Sequence, residues 1–346
     1  MKNICLIFFL IVVIVSPSCL NNDPSVLIIN AEPAVITEKT PNDTDDPAIW
    51  YNRKSPENSL VLGTDKGNEN GGIYVFDLDG RINRELSVTG LNRPNNIDVE
   101  YGFNFNDSLI DIAVFTERGR DVIRVMELPS CRLIDNGGIP VFEDDSLRSP
   151  MGIGLYKDNS GVVYAFVSRK SGPATGYIYQ YRLFTEDSAV CGIKTRALGK
   201  FSGRKEIESI VVDDEKGYLY YSDEGAGIRK YYADAEKGND EITLFGAGDF
   251  KSDSEGLSIC RQTGEDGFLI VSDQQANRFL VYELKENIPY YHRLVRILRT
   301  KTIESDGSDI ICMPSGEKFP NGLFVAMSSD RTFHYYRADD ITRLKQ

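Results

Sequence analysis

The segment IYVFDLDG (73–80) recurs along the chain in five further versions that keep its alternation of aromatic, aliphatic and polar residues. They are IRVMELPS (123–130), IYQYRLFT (178–185), IRKYYADA (228–235), FLVYELKE (279–286) and FHYYRADD (333–340). Successive copies start 50 to 55 residues apart. A strand-like unit with such a period is typical of a β-propeller, in which each repeat forms one blade. The sequence therefore predicts an all-β fold, a six-bladed β-propeller with four-stranded blades around a central channel.

The repeats run through nearly all of the 346 residues, without a linker or low-complexity tract after about residue 40. This length could hold two average domains, but uninterrupted repeats favour one large domain. We expect this domain to span residues 41–346 and the protein to be a monomer. An N-terminal segment is expected to help close the ring of blades.

The first 19 residues have the features of an export signal. Lys2 precedes the apolar run CLIFFLIVVIV (5–15), which is too short for a permanent membrane span. Ser16-Pro17-Ser18-Cys19 then resembles a bacterial lipoprotein cleavage site, at which Cys19 would be lipidated. The alternative is an ordinary signal peptide cut near Ser18. We expect an exported lipoprotein, periplasmic or on the outer membrane or cell surface, held only by this anchor, with residues 20–40 as a tether and one edge strand.

Export permits disulfides, and four cysteines remain after the signal segment. Cys131 and Cys191 lie in polar, turn-like surroundings and could pair. Cys260 and Cys312 end apolar runs and resemble buried core thiols. At most one disulfide is expected.

The chain is acidic, with 52 acidic and 39 basic residues and a net charge of −13. This balance argues against a nucleic-acid partner, which requires a basic face. An acidic surface is common among soluble proteins. Here, however, many of the acids occupy matching positions in the six repeats.

Two strands are predicted before each repeated segment, and their polar ends should meet at one mouth of the central channel. The first strand opens after polar clusters such as DTDDPAIW (43–50), and the second ends in polar loops such as LVLGTDKG (60–67). The acids expected in this ring are Asp45, Asp46, Glu208, Asp223, Glu224, Asp253, Glu255, Asp306 and Asp309. The bases expected there are Lys66, Arg118, Arg169 and Lys170.

So many carboxylates cannot converge as bare anions, because like charges raise one another's pKa or recruit cations. Oxygen ligands in this number suit Ca²⁺ better than Zn²⁺, and the two histidines of the chain lie outside the ring. Several Ca²⁺ ions beside basic side chains make a site for a highly anionic ligand, and phosphate fits best. For each acid taken alone, a solvated turn residue is the better explanation, and only the recurrence at matched blade positions favours a functional site.

DTDDPAIW (43–50) followed by NNIDVEY (95–101) resembles the signature pair of the β-propeller phytases. The resemblance continues through TDKGNENGGIYVFDLDG (64–80), ERGRDVIRV (117–125), SRKSG (168–172), IESIVVDDEKGYLYYSDEGAGI (207–228) and SEGLSI (254–259). It covers about residues 32 to 340. It implies a six-bladed, calcium-dependent enzyme that removes phosphate from phytate or other inositol phosphates through attack by metal-activated water.

The resemblance also implies roles for individual residues. The calcium ligands would be Asp45 or Asp46 with Glu208, Asp253, Glu255 and Asp306, and Glu224 would help to place metal and substrate. Lys66, Arg118 and Lys170 would hold the phosphate that is cleaved, and Arg169 is added as a neighbouring substrate contact. Catalytic roles therefore fall to Glu208, Glu224, Lys66, Arg118 and Lys170.

Three positions depart from the family pattern. Glu100 replaces an arginine, Met151 replaces a tyrosine, and Ser328 stands where an aspartate is common. Loss of a tyrosine hydrogen bond to a charged phosphate would cost about 1.5–3 kcal/mol. Two other functions therefore stay open from the sequence: a different Ca²⁺-dependent six-bladed hydrolase such as a lactonase, and a non-catalytic surface lipoprotein that captures a polyanion.

Overall fold

The computed structural model describes residues 26–261 and 267–342, so the predicted signal segment and Cys19 lie outside the described residues. Six β-sheets account for nearly all regular structure in these ranges. The α-helical structure described is the short α1 (Asp339–Thr342). Among the described residues, no helix is both long enough and apolar enough to span a membrane.

The described chain begins with β1 (Leu27–Asn30) and β2 (Val35–Ile36), and each of the six sheets is one blade. Blade 1 contains β3 (Thr44–Trp50), β4 (Leu60–Asp65), β5 (Gly71–Phe76) and β6 (Ile82–Leu91). Blade 2 contains β7 (Pro94–Phe105), β8 (Ser108–Glu117), β9 (Val122–Leu128), β10 (Arg132–Leu133) and β11 (Ile139–Pro140). Blade 3 contains β12 (Pro150–Lys157), β13 (Val163–Arg169), β14 (Thr175–Glu186) and β15 (Ala189–Lys200). Blade 4 contains β16 (Ile210–Asp213), β17 (Tyr218–Asp223), β18 (Gly227–Tyr232) and β19 (Thr243–Phe245). Blade 5 contains β20 (Ser254–Arg261), β21 (Gly267–Asp273), β22 (Arg278–Glu283), β23 (Leu294–Arg299) and the added β1. Blade 6 contains β24 (Ser308–Ile311), β25 (Leu323–Ser328), β26 (Thr332–Arg337) and the added β2.

The predicted six-bladed propeller is confirmed. Each repeated segment forms the third strand of its blade, and the two predicted strands before it are the first and second. The first strands contact one another in a closed ring, from β3 through β7, β12, β16, β20 and β24 back to β3. This ring forms the wall of the central channel.

The hydrophobic core lies between the blades. Side chains alternate across a strand, so Ala113 and Phe115 of β8 pack towards blade 1 while Ile112 and Val114 pack towards blade 3. One buried cluster fills each of the six interfaces between neighbouring blades in the described ranges. Because both faces of a blade are covered, second strands such as β21 and β25 contain continuous apolar runs, FLIV (268–271) and LFVAM (323–327).

The N-terminal strands close the ring, as expected. β2 is the outermost strand of blade 6 and pairs antiparallel with β26, Val35 opposite Tyr335. β1 adds a parallel fifth strand to blade 5, with Leu27 opposite Arg296. Since β2 lies within residues 20–40, the propeller begins before residue 41.

The suggested cysteine pairing was wrong, whereas the single disulfide in the described ranges agrees with the expected limit of one. Cys260 and Cys312 form a disulfide with 5.8 Å between their Cα atoms, while Cys131 and Cys191 are free. Cys260 is the penultimate residue of the first strand of blade 5, and Cys312 directly follows the first strand of blade 6. Adjacent first strands run side by side along the channel, so two apolar runs that are far apart in sequence bring their terminal cysteines together.

Candidate active site

An irregularity at the start of the first strands builds the site. In blade 1, Thr44 pairs with Asp65 but Pro47 pairs with Gly63, so one extra residue is inserted opposite β4. The same shift occurs in blades 2, 3 and 5. Such β-bulges bend a strand and redirect its side chains. The bulges contain Asp45, Asp46, Asn95, Asn96, Met151, Gly152, Glu255 and Gly256.

The segments at the starts of neighbouring first strands approach one another closely, and glycine makes this approach possible. A Cβ atom on Gly152 would lie 2.0 Å from the carbonyl oxygen of Glu208, and one on Gly307 would lie 2.3 Å from Oδ1 of Asp46. Neither position can hold a larger residue without moving backbone or a site carboxylate. The glycines thus allow acids from separate blades to share one small volume.

Three carboxylates form the centre of the site. Oxygen atoms of Glu208, Glu224 and Glu255 lie within 4.8 Å of one another. Glu224 and Glu255 are 4% and 6% exposed. Burial and neighbouring acids raise the pKa of Glu224 to about 8 and hold the pKa values of Glu208 and Glu255 well above their ordinary range. A cluster that resists ionisation this strongly has a high affinity for positive charge.

Lys66 links two further predicted ligands beside this cluster. Its Nζ atom donates to Asp45 and to Asp306, each at 2.8 Å. Burial alone would lower the pKa of Lys66, but the charges of Asp45 and Asp306 outweigh it and raise that pKa. Burial raises the pKa of Asp306 to about 6 despite the ammonium group. Lys66 therefore stands in the place where acids from blades 1 and 6 meet.

The remaining predicted ligands lie at the margins. Asp46 accepts a hydrogen bond from the backbone N–H of Ile97 at 3.1 Å, which places its carboxylate between blades 1 and 2. Asp253 pairs with Lys205 and accepts from the side chain of Gln275 at 2.8 Å. Both residues are buried, and each carboxylate already has a protein partner.

One position per blade, directly after the second strand, faces the mouth. It holds Lys66, Arg118, Lys170, Glu224, Gln274 and Ser329 in blades 1 to 6. Arg118 lies near Glu208 and Asp45, and burial together with the charge of Arg93 lowers its pKa. Arg118 forms no ion pair with any residue in the described ranges. Lys170 pairs with Glu206.

The last residue of the second strand, one position earlier, is buried in blades 3 and 4. Two expectations are therefore wrong. Arg169 is buried: it bonds Asp145 at 2.7 Å and lies over the rings of Phe142 and Tyr179. Asp223 is likewise buried and accepts from Arg229 at 2.8 Å. These last residues of the second strands fix the loop before the first strand instead of facing the mouth.

Asp309 also lies away from the predicted ring. Its carboxylate accepts hydrogen bonds from the backbone N–H groups of Ile49 and Ile310, both at 2.7 Å. It lines a cavity of the channel with Asp98 and Asp214, farther along the first strands than the bulges. Asp309 therefore helps to join blade 6 to blade 1 inside the channel.

Replacement of Arg169 by alanine should lower stability without weakening substrate binding. The change removes a buried guanidinium whose hydrogen bonds, as bonds to a charged group, are each worth about 1.5–3 kcal/mol. Chemical denaturation of the variant, with KM measured in parallel for phytate, the substrate that the sequence resemblance implies, tests this placement. A raised KM with unchanged stability would mean that Arg169 contacts substrate after all.

The three departures from the family pattern have different structural settings. Met151 is 1% exposed, and its thioether has no N–H or O–H group that could donate to a phosphate at the mouth. Ser328 is buried, and its hydroxyl accepts from the N–H of Ile303 at 3.1 Å. Glu100 lies farther along β7 and pairs with Lys157 at 3.3 Å. Of the three, the Met151 substitution lies in a bulge of the site.

Sequence reasoning missed four residues at this mouth. Nδ2 of Asn95 donates to Asp45 at 2.9 Å, and the Oδ1 atoms of Asn95 and Asn96 are buried without a partner. Gln274 donates to Asp306, and Glu206 accepts from Lys170. For Asn95, Asn96 and Gln274, polar side chains in bulge and mouth-facing positions were the available signal, but metal and phosphate contacts were predicted from charged residues alone.

The donor set fits an oxygen-binding divalent cation. Oε1 of Glu224 and Oε2 of Glu255 are buried and have no hydrogen-bond partner. Buried polar atoms nearly always have one, so these oxygens mark a place for a cation. The cluster contains carboxylate oxygens and no His or Cys, a chemistry that suits Ca²⁺, Mg²⁺ or Mn²⁺ rather than Zn²⁺.

The chain is similar to known proteins over most of its length. A family model described as Phytase matches residues 7–335. The 3-phytase of Bacillus subtilis (strain 168) is 31% identical over 301 residues, which are 83% of this chain and 74% of that protein. A solved structure described as the Dos1 propeller covers 85% of this chain and 68% of its own, with a TM-score of 0.43 and 14% identity.

Proposed function

This chain belongs to the phytase family and is a phosphoric monoester hydrolase, and we propose that it removes phosphate from inositol phosphates with Ca²⁺ bound at the mouth of its channel. The observation that carries the calcium proposal is the cluster of Glu208, Glu224 and Glu255, whose buried oxygens lack partners. Asp45, Asp46, Asp253 and Asp306 surround this cluster and would complete the ligand set.

The acidic residues of the mouth would bind metal, and the basic residues would bind phosphate. Glu208, Glu224 and Glu255 would hold the ions, which when bound polarise phosphoryl oxygens and lower the pKa of a coordinated water. Arg118 and Lys170 would donate hydrogen bonds to the phosphate that is cleaved. Lys66, fixed between Asp45 and Asp306, would place a third positive charge beside the same phosphate.

The acidity of the protein makes bound metal necessary for binding this substrate. Inositol phosphates carry many negative charges, and the mouth without metal is itself rich in carboxylates. Several divalent cations would reverse the local field, and Arg118 and Lys170 would extend the positive region towards the rim. A monomer suffices for this arrangement, because all the named groups come from one ring of blades.

Chelation tests the proposed function directly. Thorough treatment with EDTA should abolish phosphate release from phytate and lower the melting temperature, and added Ca²⁺ should restore both. Ligand that binds only the native state at a hundredfold excess over Kd stabilises it by about 2.7 kcal/mol. Full activity and unchanged melting after chelation would contradict a calcium centre.

Stabilisation by Ca²⁺ should increase with pH between about 5 and 8. The pKa values of about 8 for Glu224 and about 6 for Asp306 lie above the ordinary values of 4.5 and 3.8. A raised carboxyl pKa makes the metal-free folded state lose stability as pH rises through that pKa. Ca²⁺ binds the ionised carboxylates and removes this loss. Melting curves with EDTA and with Ca²⁺ at several pH values measure the difference, which a pH-independent shift would contradict.

We also propose that the protein is exported and anchored through Cys19. β1 runs parallel to β23, which starts at the end of the propeller opposite the mouth, so β1 starts at that end too. An anchor joined to β1 would leave the mouth facing away from the membrane. Incorporation of labelled fatty acid into the wild type but not into the Cys19→Ala variant tests the anchor; equal labelling would exclude it.

A further inference from the structure

Glu206 is an acid of the mouth that the functions assigned so far do not use. It lies two residues before Glu208, and its carbonyl oxygen accepts the N–H of Glu224 at 3.1 Å. Its backbone therefore sits between two members of the carboxylate cluster. Its negative charge also raises the pKa values of both Glu208 and Glu224, after burial and other contributions, which places the carboxylate near both.

The two oxygens of the Glu206 side chain have different surroundings. Oε1 accepts a hydrogen bond from Nζ of Lys170. Oε2 is buried and has no hydrogen-bond partner. An ion pair with Lys170 alone explains the first oxygen but leaves the second as an uncompensated buried acceptor, which costs stability unless something binds it.

Resting on the proposed function, we infer that Glu206 bridges the calcium centre and Lys170, with Oε2 as an additional carboxylate ligand at the edge of the cluster formed by Glu208, Glu224 and Glu255. Glu206 is then a positioning residue. Its carboxylate fixes the Lys170 ammonium at a set distance from the metal, so that one phosphate can contact both. Because Lys170 is 42% exposed, its long side chain would otherwise sample many positions.

The bridge also accounts for the position of Lys170 in an acidic mouth. A free lysine beside several carboxylates would pair with whichever acid is nearest, including the metal ligands. Glu206 gives this lysine one partner and leaves Glu224 and Glu255 with free oxygens. Charge-assisted hydrogen bonds of this kind are short and directional, so they orient as well as attract.

Three variants separate the two halves of the bridge. Glu206→Gln keeps an oxygen that can accept from Lys170 but removes the anionic ligand. Glu206→Asp keeps the charge on a shorter side chain, and Glu206→Ala removes both functions. Glu57→Gln, an exposed acid far from the mouth, is the matched control.

Calcium affinity without substrate is the first measurement, by calorimetry and by the Ca²⁺ dependence of melting. We expect Glu206→Gln and Glu206→Ala to raise the Ca²⁺ concentration for half-maximal effect about 10-fold or more, since even outer-shell partners alter metal affinity 10- to 100-fold. Glu206→Asp should recover part of the loss in calcium affinity.

The kinetic measurement is made at saturating Ca²⁺. Glu206→Ala should raise KM for phytate more than Glu206→Gln does. Glu206→Ala should change KM little further when Lys170 is already alanine.

A wild-type Ca²⁺ dependence in Glu206→Gln would overturn the role of Glu206 while leaving the calcium centre intact. Fully additive effects of Glu206→Ala and Lys170→Ala on KM would overturn the bridge. A wild-type protein that binds no Ca²⁺ in either assay would overturn the proposed calcium centre itself, and with it this role for Glu206.

Discussion

The Arg118→Ala, Lys170→Ala double variant is expected to lose about 10²- to 10⁴-fold in kcat/KM for phytate. Each side chain would donate a charge-assisted hydrogen bond to the phosphate, worth about 1.5–3 kcal/mol, and each 1.36 kcal/mol corresponds to a factor of ten in rate. Ca²⁺-dependent melting should stay close to that of the wild type, because neither side chain is among the proposed ligands. Steady-state kinetics at saturating Ca²⁺ and thermal melts measure both quantities.

The control for this experiment removes two positive charges from elsewhere. Lys39 and Arg84 are exposed at the outer edge of blade 1. Their double alanine variant changes net charge equally and should keep most of the activity. Equal losses in both double variants would show that general attraction, rather than contact with the phosphate, carries the effect. Phytate hydrolysis at the wild-type rate by the mouth variant would place the phosphate elsewhere.

Glu255→Gln is expected to change stability in opposite directions with and without metal. Burial and neighbouring carboxylates hold the pKa of Glu255 well above its ordinary range, so its negative charge opposes folding when no cation is present. A neutral amide of nearly the same shape should therefore raise the melting temperature in EDTA. It should also weaken Ca²⁺ binding by roughly 100-fold or more, since outer-shell partners alone account for 10- to 100-fold, and activity should fall with it.

This reversal of sign distinguishes a ligand from an ordinary buried acid. If Glu255 only supported the fold, its replacement would lower the melting temperature in both conditions and leave the calcium-induced increase unchanged. Melting curves in EDTA and in excess Ca²⁺, with Glu57→Gln as the exposed control, give both values. A wild-type calcium-induced increase in Glu255→Gln would remove this residue from the metal centre.

The fold was predictable because the propeller repeats one pattern of burial. Both faces of every blade pack on a neighbour, so six similar strands must recur at similar spacing, and the third strand with its aromatic residues carries the clearest copy. The N-terminal strand was harder to place. β2 is only two residues long, Val35–Ile36, and a pair this short has no periodicity of its own.

The site was predictable at the level of the mouth but not of each side chain. Arg169 and Lys170 are adjacent, yet Arg169 is buried against aromatic rings while Lys170 faces the channel. Neighbouring residues at a strand end point in opposite directions, so including both members of a charged pair assigned one wrongly. Asp223 and Glu224 repeat this pattern one blade later. The end of the second strand, which decides between them, has no sequence marker.

Glu206 was overlooked for a related reason. It lies one residue before the segment IESIVVDDEKGYLYYSDEGAGI (207–228) that carries the family resemblance, so the resemblance assigned it no role. Asn95 and Asn96 belong to a recognised motif, but their side chains are uncharged, so the pattern of charged residues did not identify them as part of the site. Their roles depend on which oxygens lack a partner, and this becomes visible only when neighbouring blades are assembled.

The pairing of β2 with β26 limits when the ring of blades can close during synthesis of the chain. Val35 meets Tyr335 across 300 residues of sequence, so this contact cannot form until nearly the whole polypeptide has been synthesised. Until then the face of blade 1 that packs against blade 6, with Val61 and Phe76, lacks the covering that Phe333 and Tyr335 provide. Contacts this distant in sequence are slow to form, and a partly made chain exposes apolar surface for longer. Ribosome-bound chains that stop before blade 6 should therefore depend on chaperones, whereas chains that include Arg337 can complete the ring.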